Sequence, residues 1–185
     1  MNDKILIKNN IFSKGVFKNI SKTVLETDFP WYFIQDSAFN IKIKDKETSL
    51  NYSWYHLLYS KSDNGNNILS SYYNFFYLPV LTILDSFNLN IDKLYRLRLG
   101  LTTTIGKDMI NKPHIDYEFP HKTILFYLND SDGDTIFYKN DYKTIIKKIT
   151  PKENTAVLFN GLINHSSSKP NMKQRRIVLN INLTD

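Results

Sequence analysis

The sequence predicts a mainly β protein with helical support, an α+β fold, and three observations carry that prediction. From Leu94 onward the apolar residues recur at a period of two, as in Leu94-Tyr95-Arg96-Leu97-Arg98-Leu99. Turn-forming clusters punctuate the same half: Asn129-Asp130-Ser131-Asp132-Gly133, Lys139-Asn140-Asp141 and Asn160-Gly161. The first half carries helical spacing in two places instead. Many short strands at such spacing predict an antiparallel double sheet of jelly-roll or cupin-like architecture, with the early helices covering one face of the larger sheet.

In chain order, Lys4 to Ile7 alternates and reads as a short strand. Val16, Ile20 and Val24 recur every four residues, which predicts an amphipathic helix over Gly15 to Thr27 with that stripe facing a sheet. Trp31-Tyr32-Phe33-Ile34 reads as a strand approached through Pro30. Ser53-Trp54-Tyr55-His56 is a helical or aromatic segment in which His56 is structural. Ser60 to Asn67 is the most polar stretch and reads as a loop. Ile68 to Leu89 is apolar at helical spacing, with Pro79 placed to kink or divide it. Its aromatics (Tyr72, Phe75, Phe76, Tyr77) belong to the core. Strands follow at Leu94 to Leu99, Thr123 to Leu128, Asp134 to Tyr138, Thr144 to Ile149, Thr155 to Phe159 and Arg176 to Leu183.

Composition narrows the classes. A length of 185 residues suits one domain with a real core, and 42% hydrophobic residues argue against disorder. With no cysteine, disulfide scaffolds and thiolate metal sites are excluded, which fits a reducing interior. No apolar run reads as a signal peptide or a membrane span, so a soluble cytoplasmic protein is expected. The net charge of +6 is spread over separated lysines such as Lys42, Lys44 and Lys46 or Lys143, Lys147 and Lys148. Without a basic block interleaved with aromatics, a nucleic-acid partner is not expected.

The most informative residues are Pro113-His114-Ile115-Asp116, then Asn164-His165, then Gln174-Arg175-Arg176. On a strand, His114 and Asp116 share a face. His165, in a loop after an apolar strand, can return to the same mouth. Two imidazoles and a carboxylate can hold one face of an octahedral metal and leave positions open for a co-substrate and oxygen, which suits non-haem Fe(II). A His-x-Asp pair alone is weak evidence; the distant His and the Arg beyond it give it weight. Of the four histidines, His121 is the competitor and is taken as a surface residue or one that backs the metal site.

Parity chooses between the two arginines. Arg176, Val178, Asn180 and Asn182 share one face of the last strand, while Ile177, Leu179, Ile181 and Leu183 share the other. The apolar set belongs against a covering layer, so Arg176 points into the cavity and Arg175 to the rim. A buried guanidinium needs a mate, either a bound carboxylate or an internal acid. Thr123, Leu125 and Tyr127 also share a face, and hydroxyls from Thr123 and Tyr127 can bond the same small acid. Arg96 and Arg98 alternate onto one face of the preceding strand, to hold substrate or to line a solvated edge.

Together these pieces resemble the Fe(II)- and 2-oxoglutarate-dependent oxygenases, most closely the prolyl-hydroxylase-like branch in its small bacterial and phage forms. The resemblance covers Leu94 to Leu183. It rests on His114-Ile115-Asp116, Thr123-Ile124-Leu125-Phe126-Tyr127-Leu128-Asn129-Asp130, Gly133-Asp134-Thr135-Ile136-Phe137, His165 and Arg176-Ile177-Val178-Leu179-Asn180. It implies a double-stranded β-helix, Fe(II) on His114, Asp116 and His165, and 2-oxoglutarate and O2 as co-substrates. Arg176 would bind the far carboxylate, assisted by Thr123 and Tyr127. Relatives place that basic residue slightly earlier than Arg176, which lies eleven positions after His165. Either the loop Ser166 to Gln174 holds an extra residue or Arg175 takes the role. Val178 stands where many relatives carry a small polar residue.

The expected organisation is one oxygenase domain over 1–185, with 1–92 as helical and strand support and 93–185 as the catalytic core. The expected activity is hydroxylation of an unactivated C–H bond, with a peptidyl residue (proline first) or a small metabolite as substrate. Two rivals stand beside it: a cupin-like binding module without metal-dependent activity, and a metal-dependent isomerase or dioxygenase on a cupin barrel.

Overall fold

The computed structural model describes residues 4–35, 52–62, 65–105 and 109–185. Lys42, Lys44 and Lys46 lie outside these residues. Among the described residues, two antiparallel sheets face one another, and two helices cover the outer face of the larger sheet.

The larger sheet takes strands from both ends of the chain. Its order is β1 (Leu6–Asn9), β9 (Thr155–Asn160), β6 (His121–Tyr127), β11 (Arg175–Thr184), β5 (Leu94–Thr103), β3 (Ser53–Ser62) and β2 (Tyr32–Ile34), with β4 (Gly65–Ile68) paired to β3. The smaller sheet runs β10 (His165–Ser167), β7 (Thr135–Tyr138) and β8 (Ile145–Ile149). Single bridges extend it, from His165 of β10 to His114 and from Ser168, just past β10, to Ile110.

The alternation in β11 explains the layering. Ile177, Leu179, Ile181 and Leu183 are buried together with Leu97, Leu99, Ile124 and Phe126, under Phe17, Ile20 and Val24 from the side of helix α1 (Lys14–Thr23) and Phe76, Val80, Ile83 and Leu84 of helix α2 (Tyr72–Ser86). On the other face Val178 joins Leu125, Tyr127, Val157 and Phe159 of the larger sheet and Phe137 of the smaller one in a second core. A strand with one apolar face and one mixed face can bury both only when something packs on each side.

Several expectations shift. The first helix, α1, runs Lys14–Thr23, and its buried stripe is Phe17, Ile20 and Val24. Val16 is 51% exposed, because it lies about 100° round the helix from Phe17. The polar stretch read as a loop is mostly the hairpin of β3 and β4, with Tyr59 opposite Ile68 and Ser60 opposite Asn67. Main-chain pairing is indifferent to side-chain polarity at a sheet margin. Ser53-Trp54-Tyr55-His56 is strand rather than helix. The second helix, α2 (Tyr72–Ser86), runs through Pro79 without dividing. No helix among the described residues is long and apolar enough to cross a membrane.

Candidate metal centre and carboxylate pocket

His114 and Asp116 do not lie on a strand. They occupy an irregular segment that meets the smaller sheet through isolated contacts, one of them where the main chains of His114 and His165 exchange N–H···O bonds of 2.9 Å. That bridge brings the two rings to a centroid distance of 4.8 Å. His165 opens the short strand β10, where a loop had been expected. One ligand atom from each of His114, Asp116 and His165 lies within 4.8 Å of the others.

The hydrogen bonds around the three residues leave a consistent donor set. Nδ1 of His114 faces the carbonyl of Lys112 at 3.2 Å, and Nδ1 of His165 faces that of Ile163 at 3.0 Å. When Nδ1 carries the hydrogen and donates it, Nε2 keeps its lone pair for a metal. Burial, reinforced by the neighbouring His114, lowers the pKa of His165 to about 4, so its imidazole is neutral near pH 7. Asp116 accepts from Arg96 at Oδ1 (2.8 Å), and from Asn182 (2.8 Å) and Asn180 (3.2 Å) at Oδ2. Burial works to raise the pKa of Asp116, but the Arg96 charge, the two histidines and the Asn182 bond outweigh it, and the carboxyl sits well below its usual range.

Register explains how Asn180 and Asn182 reach this carboxylate. Along β11 the pairs across to β5 are Arg176–Thr102, Val178–Gly100, Asn180–Arg98 and Asn182–Arg96. Across to β6 they are Val178–Tyr127, Asn180–Leu125 and Asn182–Thr123. From these rows Arg98, Gly100, Leu125, Val178 and Asn180 form the floor of one pocket, with Arg176 at one end and the buried Asn182, which bonds Asp116, beyond the other. Arg176 is buried and lines the pocket, whereas Arg175 is exposed.

Of the hydroxyls expected near Arg176, the structure places neither Thr123 nor Tyr127 on the pocket wall. Thr123 is fully buried beyond the far end of the floor, where it accepts from Asn182 at 3.0 Å. Tyr127 is fully buried, and its hydroxyl meets Thr135 Oγ1 at 2.7 Å. The Arg176 guanidinium lies over the Tyr127 ring, 5.7 Å from its centroid, and its Nη2 donates at 2.8 Å to Thr135. Thr135 stands on β7, so this contact joins the two sheets. Nε of Arg176 is buried with no hydrogen-bond partner. Gly133 makes the approach possible. A methyl group there would lie 2.8 Å from the Ser168 carbonyl oxygen and 3.2 Å from Cδ of Arg176.

His121 is neither on the surface nor beside the three candidate ligands. It is fully buried against Gly161, where an added Cβ would come within 2.0 Å of its Nε2. His56 is structural, bonded to the Pro30 carbonyl (2.7 Å) and to Ser70 Oγ (2.6 Å). Arg96 is the partner of Asp116, and Arg98 lines the pocket.

No protein-family model and no characterised protein matches this chain by sequence. Solved structures do match. An oxidoreductase of the 2OG-Fe(II) oxygenase family from Burkholderia pseudomallei superposes with a TM-score of 0.70 at 9% identity, over 97% of this chain and 85% of that one. The fold is that of the 2OG-Fe(II) oxygenases. A Trichoplax adhaerens prolyl hydroxylase, solved with a hypoxia inducible factor peptide fragment, shares this oxygenase fold with a TM-score of 0.65 at 16% identity, over 98% and 84% of the two chains. HygX from Streptomyces hygroscopicus, solved with nickel and 2-oxoglutarate bound, gives 0.60 at 12%, over 96% and 81%.

Proposed function

We propose that this protein is an Fe(II)- and 2-oxoglutarate-dependent oxygenase that hydroxylates an unactivated C–H bond. The metal is held by His114, Asp116 and His165, and the distal carboxylate of 2-oxoglutarate by Arg176 and Thr135. One observation carries the reading: ligand atoms of His114, Asp116 and His165 converge within 4.8 Å, and the two histidines share a pocket with a buried guanidinium whose Nε is unpartnered. A planar acid supplies the bidentate mate that Arg176 lacks. The HygX structure with 2-oxoglutarate bound supports the same co-substrate.

Bound Fe(II), 2-oxoglutarate and O2 supply the oxidising chemistry, with succinate and carbon dioxide as co-products. The chain supplies the geometry. The carbonyls of Lys112 and Ile163 fix both imidazoles with Nε2 inward, and Arg96, Asn180 and Asn182 fix the carboxylate. Leu125 and Val178 form an apolar stretch of floor between the metal end and Arg176, which strengthens charge interactions there. The substrate is a peptidyl residue, with proline first, or a small metabolite. The prolyl hydroxylase solved with a peptide fragment supports the peptide reading.

Anaerobic titration of the metal-free protein with Fe(II) and then 2-oxoglutarate tests the proposal. A saturable visible charge-transfer band is expected, absent in His165→Ala and weakened in Arg176→Ala. A folded protein giving no band overturns the oxygenase reading in favour of a binding module.

A further inference from the structure

Arg98 remains unexplained by this chemistry. It stands on β5 opposite Asn180 on one side and Leu57 on the other, and its guanidinium lines the pocket. Its Nε is enclosed without a hydrogen-bond partner, and no carboxylate of the described residues lies within ion-pair distance of it. The nearby acid, Asp116, is taken by Arg96 at 2.8 Å and by two asparagines. Nor does Arg98 share the Arg176 position. Along the strand it lies four residues from Thr102, the partner of Arg176, a distance of about 13 Å.

The charges of the pocket make this informative. No Asp or Glu lines the pocket, whereas both Arg98 and Arg176 do. Burial and the adjacent Arg96 bring the Arg98 pKa down to about 10, which leaves it charged near neutrality. A cation enclosed without a mate is costly, and a ligand that neutralises it recovers that cost. In the function proposed above, the distal carboxylate of 2-oxoglutarate would go to Arg176, and the other would lie with the metal held by His114, Asp116 and His165. Both acids are then neutralised, and Arg98 still lacks a counter-ion.

We propose that Arg98 receives a carboxylate of the substrate itself, so that the molecule oxidised is an acid, bound with its carboxylate at the metal end of the pocket. The proposal rests on the oxygenase reading for the word substrate, but the anion site can be tested apart from it. A planar guanidinium matches a carboxylate through two parallel N–H···O bonds, which gives orientation as well as affinity. Orientation is what a C–H oxidation requires, since the carboxylate fixes which carbon faces the metal.

The test uses acetate and its neutral isostere acetamide, observed by saturation-transfer NMR on nickel-loaded, 2-oxoglutarate-saturated protein. Calorimetry follows 2-oxoglutarate binding in parallel. Acetate but not acetamide is expected to bind wild type, to be lost in Arg98→Gln and to return in part in Arg98→Lys. The 2-oxoglutarate affinity should change less than threefold in Arg98→Gln and fall at least tenfold in Arg176→Gln. Matching melting temperatures establish that the variants are folded, and Arg98→Lys provides the comparison if Arg98→Gln is not. Equal acetate binding in wild type and Arg98→Gln, or no preference over acetamide, overturns the proposal. A loss of 2-oxoglutarate affinity in Arg98→Gln as large as in Arg176→Gln also overturns it, since Arg98 then serves the co-substrate. If wild type binds no 2-oxoglutarate the oxygenase reading fails, and acetate against acetamide on that same protein still decides whether Arg98 is an anion receptor.

Discussion

Arg96 donates from Nη2 to Oδ1 of Asp116 at 2.8 Å, joining β5 to the irregular segment that carries the candidate metal ligands. The same guanidinium donates from Nε to Asn182 and lies over the Tyr117 ring. Asp116 therefore has a fixed orientation before any metal arrives. Removing the cation leaves an almost fully buried carboxylate without its ion-pair partner. Arg96→Met is expected to cost the metal-free protein about 3 kcal/mol, and added divalent metal should restore part of that loss. Urea unfolding with and without metal measures both; a variant as stable as wild type in the absence of metal would contradict the assignment.

His165 gives the metal-free protein a pH dependence. Its pKa is lowered to about 4 by burial, so the unfolded chain takes up a proton near pH 6.5 that the native state refuses. Stability contributed by the neutral ring is complete above pH 6.5 and falls as pH drops towards 4, at about 1.4 kcal/mol per unit. His165→Gln should flatten this part of the profile. Denaturant midpoints across that range, on chelator-treated protein, check it.

Thr135 and Thr123 separate by function. Thr135→Val strands Nη2 of Arg176 and the Tyr127 hydroxyl in a buried place, which should cost about 2 kcal/mol. It should also weaken 2-oxoglutarate several-fold. Thr123→Val removes a bond to Asn182 alone and should leave 2-oxoglutarate affinity unchanged. Calorimetric titration of the two variants side by side distinguishes them, and equal losses would contradict the arrangement.

Gly161 and His121 form a close pair that supports the end of β9. Gly161→Ala places a methyl inside the imidazole, and the expected loss is about 2 kcal/mol or more. In the double variant with His121→Ala the clash disappears, so the two changes should be far from additive. A thermodynamic cycle on the four proteins reads the coupling directly.

Local sequence determined more than the fold class. The period of two in β11 assigned Arg176 to the interior and Arg175 to solvent, because a strand puts alternate residues on opposite faces whatever surrounds it. The same rule put Val178 and Asn180 on the pocket floor and Asn182 on that face beneath Asp116, while the hydrophobic spacing of Ile68 to Leu89 gave α2. What it left open is what crosses between elements. Thr135 rather than Thr123 stands beside Arg176 because β7 packs over that end of the larger sheet, a placement no period within β7 or β11 encodes. Arg96 is committed to Asp116 and Arg98 is left without an ion pair, although the two are equivalent in alternation, because the Asp116 carboxylate on the irregular segment reaches only one of them. His121 is buried because Gly161 leaves room for its ring, and that vacancy is made by two strands meeting. Periodicity fixes the face on which a side chain lies; which group it meets there depends on contacts between elements far apart in the chain, and those exist only once the two sheets have closed.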